Sequence, residues 1–475
     1  KNDCVMRKLL YPVAAELTAA LERPADGNTE IDLLVREILD AVREGGDNAL
    51  RVFSKKFDGF AAATLRVEAA EIEQAENEVS PELKKAILSA ASNIEKFHVA
   101  GAGTAVITRP APEGIPAAPE VTGSTPEVTR TAPEVIGSTP VVTETAPGVR
   151  CWYRDTPIEK VGLYIPGGTA PLFSTVLMLG IPARLAGCGE IVMCTPPGSN
   201  GKINPLILYA AKVAGVNAIF RAGGAQAIAA MAYGTESIPA VYKIFGPGNR
   251  YVTRAKELVQ LEGTAIDMPA GPSELMVIAD SSANPAFVAA DLLSQAEHGT
   301  DSQVIMLTDS REMITLVEQE TERQLALLPR KDIAARSLEN SSLVLLESEE
   351  RCLEIANRYA PEHLVIATDD PFRGAEQVTN AGSVFLGNYS SESTGDYMTG
   401  PNHTLPTGGY ARSFSGVTLN SFMKRISFQE VTAEGVRTIG PETVLMAQAE
   451  MLAGHAAAVS VRLEYLDSQT GEPED

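Results

Sequence analysis

After Gly148 the chain alternates between short apolar runs and longer stretches of helical periodicity, and this alternation limits the fold more than any other feature. Strands are expected at 161–165, 191–194, 218–220 and 243–245, with helices over about 171–187, 204–214, 225–233 and 249–261. A second set follows: strand 274–279, helix 285–298, strand 303–307, helices across 311–339, strand 343–346 and helix 350–359. Repeated strand–helix pairs bury both faces of a sheet by laying the strands parallel, with helices on either side. The expectation is an α/β protein with two such units and helical ends. Those ends comprise a helix over 30–58 broken at Gly45-Gly46-Asp47, another over 81–97, and a closing helix over 441–458.

One stretch departs from this pattern. From Pro112 a proline recurs every seventh residue, at Pro119, Pro126, Pro133, Pro140 and Pro147. The unit is rich in Pro, Thr and Glu and almost lacks large side chains, so it cannot bury a core. Its period is too short for a solenoid. We read 104–146 as an expanded surface loop, extended or disordered, whose deletion leaves activity largely intact.

At 475 residues the chain exceeds one ordinary core and should divide into two or three domains. The formal charge of -22 opposes nucleic acid or an anionic membrane as partner. No apolar run is long enough for a membrane span. Five cysteines, with no CxxC pair, fit free thiols in a reducing, cytoplasmic setting. The start at Lys1 shows no apolar signal core, and its missing Met leaves a removed organellar targeting segment open.

Histidine is scarce, with five in the chain, and four stand in compact segments bearing an acid, an amide or a glycine turn: His298, His363, His403 and His455. Imidazole is the usual neutral metal ligand and the side chain most easily poised as a base near neutral pH. His98, on an amphipathic helical stretch, reads as structural. Asn284-Pro285 is a good helix start, so Asp291, Gln295 and His298 should share one face. By itself such a pair as Gln295 and His298 is a solvated helix face. Asp396 and His403 lie on a Gly/Pro-rich loop that could bring an acid and an imidazole into a cleft. One amide oxygen, two imidazoles and one carboxylate would suit Zn²⁺. Glu362-His363 follows a proline at a helix end, an exposed-loop position that fits either an acid–base couple or a plain surface pair.

Three glycine-rich turns follow expected strands: Pro166-Gly167-Gly168-Thr169, Ala222-Gly223-Gly224-Ala225-Gln226 and Gly246-Pro247-Gly248-Asn249. Ligands of parallel sheets bind beyond the carboxyl ends of strands, at such turns. No clean GxGxxG follows a strand, so composition alone divides evenly between a nucleotide site and ordinary tight turns.

Taken in order, the motifs join. The stretch from Ile266-Asp267-Met268-Pro269-Ala270-Gly271-Pro272-Ser273-Glu274 to Ser294-Gln295-Ala296-Glu297-His298 resembles the signature of the histidinol dehydrogenase family. So do the segments around Tyr164, Gln226 and Asn249, and those carrying Glu362-His363, Asp396-Tyr397 and Asn402-His403. The resemblance runs from about residue 23 to the C-terminal helix; the proline repeat is the clear departure. It implies NAD- and zinc-dependent oxidation of L-histidinol to L-histidine through L-histidinal, by a homodimer of two incomplete Rossmann-like parallel-sheet domains. Domains are then expected as 1–24, an N-terminal helical segment; 25–166 with 276–417, carrying the catalytic residues; 167–275, binding NAD; and 418–475, a dimerisation arm that crosses over. The resemblance implies Glu362 and His363 as catalytic pair and Gln295, His298, Asp396 and His455 as zinc ligands. Ser273, His363, His403 and Glu450, with the four ligands, would contact substrate; Tyr164, Gln226 and Asn249 would contact NAD. Glu450 and His455 would come from the second subunit.

Overall fold

The structure, a computed structural model, describes residues 6–24, 28–60, 64–101, 106–108, 134–136, 141–167 and 171–469. The chain divides into two compact units, Lys1–Gly101 with Ile158–Phe422, and Ala102–Pro157 with Met423–Asp475.

The first unit holds two all-parallel sheets. The larger orders its strands Arg7–Leu10, Ser342–Leu345, Gln303–Thr308, Glu274–Ala279, His363–Ala367, Ser383–Leu386. The smaller runs Ala265–Ile266, Lys243–Phe245, Lys160–Tyr164, Glu190–Thr195, Ala218–Arg221. Leaving aside the edge strand Arg7–Leu10, in each sheet three consecutive strands build outward from Glu274–Ala279 or Lys160–Tyr164; the chain then returns to that strand's free side and builds the other way. This is double winding, and it opens a crevice where the direction reverses. In the larger sheet the reversal lies between Glu274–Ala279 and His363–Ala367; in the smaller, between Lys160–Tyr164 and Lys243–Phe245. Strands covered on both faces read as unbroken apolar runs, and Leu275, Met276 and Val277 are fully buried. Helix Phe173–Ala186 is apolar all round for the same reason: nearly every residue in it is buried.

Several expectations need correction. The N-terminal segment is not purely helical: Arg7–Leu10 adds an edge strand beside Ser342–Leu345 before helix Ala14–Ala20 begins. An open sheet edge recruits whatever chain is nearby to satisfy its backbone groups, a demand that local periodicity does not display. The strand at Lys160–Tyr164, assigned from sequence to the catalytic domain, pairs inside the smaller sheet. Helix Asn28–Phe57 does turn sharply where the glycines predicted: Gly46 has φ +50, and a Cβ there would come within 2.3 Å of the Glu236 carboxylate.

His98 is structural, as its helix pattern suggested. It is buried at the end of helix Pro81–Gly101, its Nε2 lacks a partner, and its ring meets Phe97 edge-on. Burial lowers its pKa to about 4. The unfolded chain therefore takes up this proton near pH 6.5 and the folded one resists it until about 4, so stability falls as pH drops through that window. We expect about 2 kcal/mol of the loss between pH 7 and pH 5 to be this residue's. Denaturant titrations of His98→Leu should show a correspondingly shallower pH dependence; an unchanged slope would contradict the assignment.

In the second unit, strand Met423–Val431 pairs antiparallel with Val149–Pro157, which pairs in turn with Thr143–Ala146. Trp152 stacks on Phe428 at 5.6 Å, and Arg425 holds Asp155 through two bonds of 2.7 and 2.8 Å. Strands Val106–Thr108 and Glu134–Ile136 pair antiparallel. Of the stretch 104–146, read from sequence as extended or disordered, 106–108, 134–136 and 143–146 are extended and paired in strands, while 109–133 lies outside the described residues. The closing helix is two, Ala433–Ala449 and Ala453–Ser468, parted at Met451, whose φ is +60. Among the described residues no helix is long and apolar enough to cross a membrane.

Candidate active site

Glu274–Ala279 and His363–Ala367 are neighbours in register, with Leu275 opposite His363. Glu274 therefore presents its backbone to the two residues that open the adjacent strand. Its N–H donates to Glu362 Oε2 at 2.9 Å, and its carbonyl lies 3.3 Å from His363 Nδ1. A carbonyl can only accept, so Nδ1 carries the proton and Nε2 holds a lone pair. That Nε2 is buried without a partner, 3.8 Å from Asp396 Oδ1. Burial depresses the His363 pKa to about 3, against the opposing Glu274 bond. The ring is thus neutral. Glu362 is driven well above the usual carboxylate range, first by burial and then by the charges of Glu274, Glu392 and Asp396. The exposed-loop expectation for this pair is wrong: both side chains are buried, because His363 begins a central strand of a covered sheet.

This site sits at the amino ends of its strands; the carboxyl-end expectation concerned the glycine turns of the smaller sheet. Ser273 precedes the first residue of Glu274–Ala279, and Gln295 and His298 reach the same edge because helix Pro285–Ala296 runs back against the strands. The Glu274 side chain is fixed in turn by Arg23, at 2.5 and 3.0 Å, and by the Gly408 N–H at 2.9 Å.

Beside this pair, His298, Glu392 and Asp396 offer ligand atoms within 4.8 Å of one another. Gln295 is wholly buried, and neither its amide oxygen nor its nitrogen has a partner. An orphaned buried amide is costly, and an amide oxygen added to the imidazole and carboxylates of that group makes a donor set that fits a borderline metal such as zinc. Asp396 rises to about 6 through burial, partly offset by His298, and Asp291 rises to about 7 through burial. Glu392 was missed from sequence. It is 1% exposed, accepts from Ser294 Oγ at 2.9 Å and lies 3.9 Å from His363 Nδ1. Its spacing of four residues before Asp396 was the available signal: Glu392 opens the short helical turn Glu392–Thr394, and Asp396 lies in the π-helical turn Gly395–Thr399 that follows it directly.

A cavity of about 380 Å³ opens here, lined by His363, Phe385, Tyr389, Asp396 and His403. Both His403 nitrogens are engaged by the protein, Nδ1 with the Asp396 carbonyl and Nε2 with Thr175 Oγ1, each at 3.1 Å. Burial holds His403 near 4, so its ring is neutral too. Glu450 and His455 lie in the second unit, around the break between its two helices, and both are exposed.

The smaller sheet has its own crevice, at the carboxyl ends. Tyr164 ends its strand and its hydroxyl accepts the Gly224 N–H at 3.0 Å; burial keeps the phenol protonated, with a pKa of about 12. Gln226, in the first turn of helix Gly224–Tyr233, has a buried Nε2 without a partner. Asn249 caps helix Arg250–Leu261 by accepting from Tyr251 and Val252, which leaves its Nδ2 for another acceptor. Gly168 and Thr169 lie outside the described residues.

A neutral buried imidazole and a raised carboxyl at the edge of a doubly wound sheet make a candidate acid–base site in an α/β fold. The histidinol dehydrogenase family model matches residues 21–123 and 120–463. A histidinol dehydrogenase of Bacteroides fragilis is 53% identical over 97% of this chain and its own full length. One from Xylella fastidiosa is 48% identical over 93% of this chain and 95% of its own. The crystal structure of histidinol dehydrogenase from Elizabethkingia anophelis, 48% identical, superposes with a TM-score of 0.89 over 98% of this chain and all of its own. The chain belongs to the histidinol dehydrogenase family.

Proposed function

We propose that the protein oxidises L-histidinol to L-histidine through L-histidinal, within histidine biosynthesis, in two successive hydride transfers. The observation that carries this reading is His363: its Nδ1–H is pinned on a backbone carbonyl, and its Nε2 lone pair points into a buried site without a partner. Alcohol oxidation needs such a base to take the hydroxyl proton as hydride leaves the carbinol carbon. The aldehyde must next gain water. Glu362, 3.7 Å from His363 Nδ1, can remove a proton from that water once ionised, so that the hydrate can lose its hydride in turn.

When bound, NAD would accept the two hydrides, and a zinc ion would orient the substrate through its nitrogens. Gln295, His298 and Asp396 would hold the zinc, with His455 supplied by a second copy; the orphaned Gln295 amide supports this. Tyr164, Gln226 and Asn249 would contact NAD. Ser273, His403 and Glu450 would complete the substrate site with His363 and the metal ligands, and since both His403 nitrogens are bonded, its contribution is the ring surface. A homodimer is favoured by the apolar side chains left exposed on the closing helices, among them Leu445, Met446, Met451 and Tyr465. We place the enzyme in the cytoplasm, in keeping with its free thiols.

The test is NADH formed per L-histidinol consumed, with and without a zinc chelator. Two NADH per substrate, abolished by chelation and restored by Zn²⁺, is the expected result. A folded, metal-replete sample that yields none would redirect the search to other small polar alcohols.

A further inference from the structure

We infer that a buried ion pair, Lys256 with Asp267, positions the Gly246–Asn249 turn for cofactor binding and thereby sets affinity for the dinucleotide. This rests on the reading of that turn as part of an NAD site. Neither residue touches the proposed cofactor contacts directly, and neither has a role in the chemistry above.

The geometry is specific. Strand Lys243–Phe245 ends at Gly246, in the crevice of the smaller sheet, and helix Arg250–Leu261 begins after Asn249. Asp267 follows the short strand Ala265–Ile266 and is tied back by its own N–H to the Ile244 carbonyl at 3.0 Å. From there Asp267 Oδ2 accepts the Gly246 N–H at 2.8 Å, while Oδ1 accepts the Met268 N–H and pairs with Lys256 Nζ. Lys256 lies on the helix that the turn starts, and its ammonium reaches back to donate to the Gly246 carbonyl at 2.9 Å. Both polar groups of one peptide residue are thus gripped by the two members of one ion pair. On the opposite side Gly246 abuts Tyr164: its φ is +124, and a Cβ would fall 2.1 Å from the Tyr164 carbonyl oxygen. The turn is wedged between the strand that carries Tyr164 and the pair that holds Gly246. Asn249 is three residues further on.

The pair's side chains are only 5% and 1% exposed. Burying two charges rarely adds net stability over well-packed apolar groups, so such pairs are poor candidates for simple glue. What this one does that two apolar side chains could not is hold a donor and an acceptor of a positive-φ glycine in place. Ligand affinity depends on such preorganisation, because a turn that must be ordered on binding weakens it.

Titration calorimetry of NAD onto the full-length protein, alongside steady-state kinetics and thermal melts, tests the inference. Asp267→Asn and Lys256→Met should each weaken NAD binding about tenfold, the scale of one or two hydrogen bonds lost. KM for NAD should rise in step, with kcat at saturating NAD and KM for L-histidinol close to those of the unaltered protein. The double variant Lys256→Met/Asp267→Leu, with no lone buried charge, should melt no lower than the single variants and still bind NAD weakly. NAD affinity equal to wild type in the double variant would overturn the inference. So would single variants whose kcat and L-histidinol KM worsen in proportion to a fallen melting temperature, since that is a purely structural role. If the unaltered protein does not bind NAD at all, the cofactor reading itself fails and takes this inference with it; binding indifferent to the pair removes the inference alone.

Discussion

His363→Asn should lower kcat for both oxidation steps by about 10²- to 10⁴-fold, the usual share of a general base. Asparagine is the informative replacement. Its amide nitrogen can still donate to the Glu274 carbonyl, now 3.3 Å from Nδ1, so the side chain keeps its anchor at the strand start. What it lacks is the basic lone pair of Nε2. The folded protein should therefore melt near the wild-type temperature while failing to turn over either L-histidinol or L-histidinal. Assaying the two substrates separately distinguishes a base used twice from one used once. Activity within about tenfold of wild type on L-histidinol would remove His363 from the acid–base role.

Glu362→Gln should behave differently, with L-histidinal oxidation falling about 10²-fold or more and the first oxidation much less. The amide oxygen can go on accepting the Glu274 N–H that Glu362 Oε2 accepts at 2.9 Å, so the loss is of an ionisable group and not of an anchor. L-Histidinal should become trappable during turnover of L-histidinol. Equal loss in both steps would sink the division of labour between the two residues. The same variant carries a stability signature. Because burial raises the Glu362 pKa in the folded state, its favourable contribution is complete below the unfolded value near 4.5 and is lost as pH rises through the folded one. The glutamine variant should thus melt like wild type in acid and gain on it as pH increases.

The proposed acid–base chemistry rests on the Glu274 backbone, and this is what a linear reading could not see. From sequence, Glu362-His363 is a polar pair after a proline and reads as exposed. The fold makes its second residue the first of a buried parallel strand, next to another whose first residue supplies one N–H and one carbonyl. Strand pairing over about ninety intervening residues decides that. Local propensity does not. Glu392 was hidden for a related reason: its carboxylate is buried beside Ser294, which donates to it across about a hundred residues of sequence.

The sequence by itself determined the alternation that makes the two sheets parallel, the helix break at Gly46, the glycine turns of the smaller sheet, and the identity of most candidate site residues. These are properties of short stretches: β-branched runs, helical periods, positive-φ glycines and scarce histidines report their own local physics. Tertiary structure alone decided that Arg7–Leu10 becomes an edge strand, that the closing helix is two, and that the proposed catalytic pair lies at the amino ends of buried strands. It also decided the tautomer of His363 and the grip of Lys256 and Asp267 on Gly246. Each of those depends on which distant backbone group comes within hydrogen-bonding distance once water has been excluded, and that is settled by how the sheets are wound.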